Sequence, residues 1–155
     1  MIFISHRGNI EGAYPFRENS PDYIDEAIKA GYEVEVDIRY KEGSLFLGHD
    51  SPQYPTSLRW LLRRKHNLWL HIKDYNSLSI IEGHVLRYFW HQNDDFTLTS
   101  NGYIWSHDFK NKMTQRCIVP LLSLSEVEEY TQRDFYAVCS DYIKSCVRKY
   151  SLNHY

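Results

Sequence analysis

The segment Tyr32-Glu33-Val34-Glu35-Val36-Asp37-Ile38-Arg39-Tyr40 alternates acidic with β-branched residues without a break. Side chains of an extended strand point to opposite faces in turn, so Glu33, Glu35 and Asp37 share one face and Val34, Val36 and Ile38 the other. A chain carrying such a strand must bury the aliphatic face under other elements and find water, cations or donors for the acids. Lys41-Glu42-Gly43-Ser44 is a turn signal and Leu45-Phe46-Leu47 resumes an extended run, which predicts a hairpin about Gly43. With Gly43 near the apex, antiparallel pairing sets His49 opposite Asp37 and Leu47 opposite Arg39. An imidazole then lies beside the carboxylates. Taken alone, an acidic strand face is more often a solvated one. The added coincidence is that His6-Arg7-Gly8 follows a first apolar strand and His49-Asp50 ends the hairpin.

The remaining sequence alternates strands and helices. Ser20-Pro21-Asp22 is a helix start, Tyr23, Ile24, Ala27 and Ile28 form its apolar face, and Gly31 ends it. Thr56-Ser57 caps a short helix through Leu62. Leu68 to Lys73 reads as a strand, and Leu78, Ile81, Val85, Leu86 and Phe89 give Asn76 to Gln92 a helical period interrupted at Gly83. Phe96 to Thr99 and Tyr103 to Trp105 flank Asn101-Gly102, either as a hairpin or as two successive strands of a barrel. Cys117 to Leu122 is a buried strand, Ser125 and Glu128 form a capping box for a helix ending near Arg133, Tyr136 to Tyr142 is a closing strand, and 143 to 155 a short helix or tail. This order predicts a single α/β domain over 1–155 with a parallel core.

Composition narrows the function classes. A net charge of −2 gives no general attraction to nucleic acid, and Arg63-Arg64-Lys65 reads as a solvated helix face. With 43% hydrophobic and 25% charged residues the chain carries a core and no disorder signature. The apolar start Met1 to Ser5 is too short for a signal peptide and no stretch is long enough to span a bilayer, so a cytoplasmic home is expected. Cys117, Cys139 and Cys146 lack paired metal spacing and are read as buried thiols. Oligomeric state is not legible in the sequence. Trp60, Trp90, Trp105, Tyr14 and Phe16 are candidates for lining a pocket, and equally ordinary core or surface aromatics.

His6-Arg7-Gly8, Glu18-Asn19-Ser20, Ala27 and Gly31, Glu35-Val36-Asp37 and His49-Asp50 together resemble the amino-terminal signature of the glycerophosphodiester phosphodiesterase family, kin of the phosphatidylinositol-specific phospholipases C. The likeness covers the first third of the chain. Leu68 to Lys73 resembles the family's third core strand, where an acid and a lysine two apart face the site, but His71 stands in the acid's place. Ala137 to Asp141 is similar to its last strand, which ends in aspartate. The strings Phe89 to Gln92, Thr97 to Ser100 and Gly102 to Trp105 are similar to those of small members encoded beside bacterial surface-polysaccharide genes.

The resemblance implies a compact or incomplete TIM-type β/α barrel, although such barrels take about 250 residues and seldom fewer than about 200. It implies a metal-dependent phosphoric diester hydrolase acting on a glycerophosphodiester, as in lipid metabolism, or on a polysaccharide or other alcohol phosphodiester. Glu35 and Asp37, with His71, would bind a divalent cation. Magnesium or calcium is the family's expectation, and the imidazole of His71 opens manganese or zinc. His6 and His49 would be general acid and base, and Arg7 and Lys73 would contact phosphate oxygens. Glu18 and Asn19 would support the site from the loop before the first helix. The alternative of a different class is a non-catalytic module of the same fold that binds a phosphosugar or lipid headgroup.

Overall fold

The computed structural model describes residues 1–108 and 111–151. In chain order the elements are β1 (Ile2–His6), α1 (Pro21–Lys29), β2 (Glu33–Lys41), β3 (Ser44–Leu47), β4 (Tyr54–Thr56), α2 (Leu58–Arg63), β5 (Leu68–Ile72), α3 (Tyr75–Ile81), β6 (Tyr88–Phe89), β7 (Phe96–Leu98), β8 (Ile104–Ser106), β9 (Cys117–Pro120), α4 (Leu124–Glu129), β10 (Ala137–Ser140) and α5 (Ile143–Ser151). Strands β6, β5, β2, β1, β10, β9 and β8 run parallel to their neighbours in that order. The first half of β2 pairs with β5 and its second half leaves the parallel core to form the hairpin with β3. The result is a mixed α/β fold around one curled sheet.

Alternation fixes both faces of that sheet. Val34, Val36 and Ile38 of β2 and Leu68, Leu70 and Ile72 of β5 pack on the convex side with Ile24, Ala27, Leu61 and Ile81 of α1, α2 and α3. Val119, Val138, Val127, Ile143 and Cys146 form the matching layer under α4 and α5. On the concave side Ile4, Trp69, Phe89, Trp105, Ile118, Ala137 and Cys139 fill the interior. Trp69 is fully buried, donates through Nε1 to Glu33 (2.6 Å) and lies under the Arg87 guanidinium at 4.3 Å.

The helix caps follow from sequence. Ser20, Ser57 and Asp74 each accept a backbone N–H of the first turn, and Pro21 occupies the opening position of α1. Helix α5 fills the tail up to Ser151, and the three cysteines are buried and free. Economy of length comes from the second half, where β6, β7, β8 and β9 succeed one another with no helix between them among the described residues. The sheet curls until Ser100, just past β7, donates its N–H to the Tyr88 carbonyl (2.8 Å) while its hydroxyl donates to Leu86 O (3.0 Å). No helix among the described residues is long and apolar enough to cross a membrane.

Four expectations are corrected. The β2–β3 ladder pairs Ile38 with Leu47 and Arg39 with Phe46, one residue from the predicted register. Glu42 and Gly43 both have positive φ, 48° and 83°, so the turn is centred between them and not on Gly43. His49 therefore does not pair with Asp37; the ladder stops at Leu47. The helix expected over Asn76 to Gln92 ends at Ile81, because Glu82-Gly83 leaves it and the edge of β5 recruits Tyr88 and Phe89 as a strand. The capping box is Ser123 with Glu126, two residues earlier than Ser125 with Glu128, a frame that turns Val127 into the core, and the helix ends at Glu129. Of the two readings for Phe96 to Trp105, the antiparallel hairpin is observed.

Trp69→Ala should lower the unfolding free energy by about 3–5 kcal/mol, the usual result for a deleted core aromatic. Phe16→Ala, at a side chain 86% exposed, should stay within about 0.5 kcal/mol. Urea unfolding of both variants checks this; equal effects would mean that the concave side is not packed around Trp69.

Candidate active site

The carboxyl ends of β1, β2 and β5 carry the site. Parallel register sets His6 beside Glu35, and Asp37 beside His71, so the four side chains rise from three adjacent strands on the concave face. His6, Glu35 and His71 line a cleft of about 220 Å³, which the fully buried Asp37 does not reach, and which also receives Arg7, Lys73, His49, His91 and His107 and has Phe89, Trp105 and Cys139 at its apolar wall. This is smaller than the roughly 300–1,000 Å³ of ordinary small-molecule pockets.

Glu35 and Asp37 are buried, at 1% and 0% exposure. Asn19 clasps Asp37 twice: its Nδ2 donates to Oδ2 (2.9 Å) and its Oδ1 accepts the Asp37 N–H (2.9 Å). Arg7 Nε lies 3.1 Å from the same Oδ2, and Lys73 Nζ 3.7 Å from Oδ1. His71 Nδ1 stands 3.3 Å from Asp37 Oδ1 and 3.5 Å from Glu35 Oε1. One ligand atom from each of Glu35, Asp37 and His71 falls within 4.8 Å of the others. Glu35 Oε2 and Asp37 Oδ1 are buried without an aligned hydrogen-bond donor. Buried carboxylate oxygens with open lone pairs, converging with an imidazole nitrogen, fit a divalent cation.

His6 is held from behind. Its Nδ1–H donates to Asp141 Oδ1 (2.8 Å), which also accepts from Asn9 Nδ2 (2.7 Å), and its Nε2 faces Glu35 Oε2 at 3.7 Å. Burial works to lower the His6 pKa, but the Asp141 hydrogen bond and the Glu35 charge outweigh it and hold the imidazole above its ordinary value. For His71, burial is likewise opposed by contacts with Asp37 and Glu35, which carry it to about 9. Asp37 resists the upward push of burial through His71, Arg7 and Asn19 and stays well below the usual carboxylate range. In Cys139, burial and then the charges of Glu35 and Asp141 push the thiol pKa well up, so it is an inert part of the wall.

Loops complete the arrangement. Arg7 and Asn19 adopt left-handed backbone (φ 54° and 63°), a costly conformation for non-glycine residues, held by the Arg7 N–H to Glu35 O (2.9 Å) and the Asn19 N–H to Arg7 O (3.0 Å). Gly8 has φ 94°, and a Cβ there would stand 2.8 Å from the Tyr23 ring. Glu18 accepts from Arg7 Nη1 (3.1 Å) and Asn9 Nδ2 (2.9 Å), so it ties loop to site without reaching the acid pair. His49 comes to the rim because Gly48, at φ 148° and with no room for a side chain, swings the chain out of the hairpin. Arg39 then grips the His49 carbonyl, and the His49 Nδ1 meets Asp50 Oδ1 at 2.7 Å.

All nine residues singled out in the sequence lie in or beside this cleft. Asp141 was visible only as the end of a weakly marked strand, and Asn9, His91 and His107 carried no spacing signal. The rings of His91 and His107 stack at 3.9 Å, and the His91 carbonyl accepts from His71 Nε2–H (3.2 Å). Of the five candidate pocket aromatics, Trp105 lines the cleft, whereas Tyr14, Phe16 and Trp90 are exposed and Trp60 packs under Arg64. Comparisons with protein families, with curated proteins and with solved structures returned no match to this chain.

His107 is held down to about 4 by burial, then by the charges of His91, His71 and His6. The unfolded chain binds this proton near 6.5 and the folded one does not, so the group destabilises the fold as pH falls from about 6.5 to about 4. Thermal melts at pH 7 and pH 5 should show a smaller acid loss in His107→Asn than in the parent protein; an equal loss would mean that His107 titrates normally.

Proposed function

We propose that the protein is a metal-dependent phosphodiesterase acting on a small alcohol phosphodiester of the glycerophosphodiester type, and that the curled sheet is a shortened form of the β/α barrel such enzymes use. The observation that carries this reading is the convergence of Glu35, Asp37 and His71 beside His6 at the carboxyl ends of parallel strands, where β/α enzymes hold their catalytic groups. Glu35, Asp37 and His71 would hold a divalent cation, which when bound neutralises phosphate charge and polarises the phosphorus.

The chain's own groups supply the rest. Asp141 keeps the His6 proton on Nδ1, leaving Nε2 to take the proton of the attacking hydroxyl, from substrate or water, as its oxygen bonds to phosphorus. His49, at the open rim, donates a proton to the departing alkoxide as the second P–O bond breaks. Arg7 and Lys73 both lie against Asp37 in the free protein and turn to phosphate oxygens when the ester enters, the planar guanidinium spanning two of them. The apolar wall of Phe89 and Trp105 excludes water and strengthens these contacts.

Release of p-nitrophenol from bis-p-nitrophenyl phosphate, with magnesium, calcium, manganese and zinc in turn, tests the reading. On a glycerophosphodiester, whose alkoxide must be protonated to leave, His6→Ala and His49→Ala should each lower kcat by ~10²–10⁴ with metal binding retained, whereas His49→Ala should cost far less on the p-nitrophenyl ester, whose leaving group needs no proton. Glu35→Gln and Asp37→Asn should instead raise the metal concentration required, with activity partly recovered at high metal. Folded protein that binds phosphate esters but turns none over with any metal would make it a binding module.

A further inference from the structure

We infer that the Glu35, Asp37 and His71 centre selects a first-row transition ion of the manganese or zinc class over magnesium and calcium, with His71 Nδ1 as a ligand; this rests on the proposed metal site, not on the proposed reaction. The orientation of His71 is the first observation. Its Nε2–H donates to the His91 carbonyl at 3.2 Å, so Nδ1 is the nitrogen that faces both carboxylates and the one whose proton a cation would displace. A ring N–H given to a backbone carbonyl is the usual support of a metal-binding histidine. The ring also stacks on Phe89 at 4.8 Å, and Phe89 on Trp105 at 4.2 Å, which fixes its plane.

The oxygen supply is the second observation. Calcium takes 6–8 oxygen ligands and magnesium a near-octahedral oxygen shell. Here Asp37 Oδ2 is already committed to Asn19 and Arg7, leaving Oδ1 to a cation, and Glu35 adds the other carboxylate. Arg7 and Lys73, both within 3.7 Å of Asp37, offset part of the negative field on which a hard ion depends. A donor set of two carboxylates and one imidazole favours ions that gain from nitrogen ligation.

Calorimetric titration of the metal-free protein with Zn²⁺, Mn²⁺, Mg²⁺ and Ca²⁺ tests this, together with electron spin-echo modulation of the bound Mn²⁺. The expected result is tighter Zn²⁺ and Mn²⁺ binding than Mg²⁺ or Ca²⁺, with ¹⁴N coupling at the manganese. His71→Ala should remove the coupling and weaken Zn²⁺ by ~10–100-fold or more, and His71→Glu should shift preference toward Mg²⁺ and Ca²⁺. If His71 is instead a resident counter-cation, His71→Ala will tighten all four ions and no ¹⁴N coupling will appear, which overturns the inference. Circular dichroism of each variant establishes that it is folded. Transition-ion binding without ester turnover would leave this inference standing and defeat the phosphodiesterase reading; magnesium-dependent turnover indifferent to His71 would do the reverse.

Discussion

Two carboxylates buried side by side on one strand are the constraint around which the molecule is organised. Glu35 and Asp37 have almost no contact with solvent, and such a pair is costly unless opposite charge and hydrogen-bond donors reach it. Asn19, Arg7, Lys73, His71 and His6 all converge on it, drawn from two strands and the loops that follow them. The left-handed backbone at Arg7 and Asn19 is strain maintained for the same end. Structure of this kind serves a ligand better than it serves stability, since aliphatic residues in these positions would pack at lower cost.

The sheet converts that local cluster into a cleft. Parallel pairing of β1, β2 and β5 sets His6 level with Glu35 and, two residues farther along, Asp37 level with His71, beside the apolar cluster of Trp69, Phe89 and Trp105. These apolar neighbours lower the local dielectric, which strengthens the ion contacts beside them. β10 lies beside β1 and carries Asp141 at its end to the back of the His6 ring. Reach therefore comes from opposite ends of the chain, and the residues that hold His6 lie 135 positions from it.

Legibility in the sequence followed the range of the interactions concerned. The strand alternation at Glu33 to Ile38 and the helix starts at Ser20 and Ser57 are local, and were readable as such. So was the grouping of His6 with the acid pair, because motifs on adjacent parallel strands share a direction, whereas His49 reaches the rim through the bend at Gly48 and not through the pairing expected of it. The hairpin register failed by one residue because a two-residue turn at Glu42-Gly43 and one centred on Gly43 look alike in composition. The spacing of Phe89 continues that of Leu78 and Ile81 and predicts helix, whereas a tertiary partner, the open edge of β5, decides the conformation of Tyr88 and Phe89. Asn9, His91, His107 and the role of Asp141 depend on contacts between distant segments, for which a single sequence holds no periodic signal.

A crystal of the protein soaked with Mn²⁺ and inorganic phosphate tests the central claim most directly. The account predicts one anomalous scattering peak bonded to carboxylate oxygens of Glu35 and Asp37 and to Nδ1 of His71, with a phosphate between it and Arg7. An ion bound at another place, with His71 still closed onto the two acids, would contradict it.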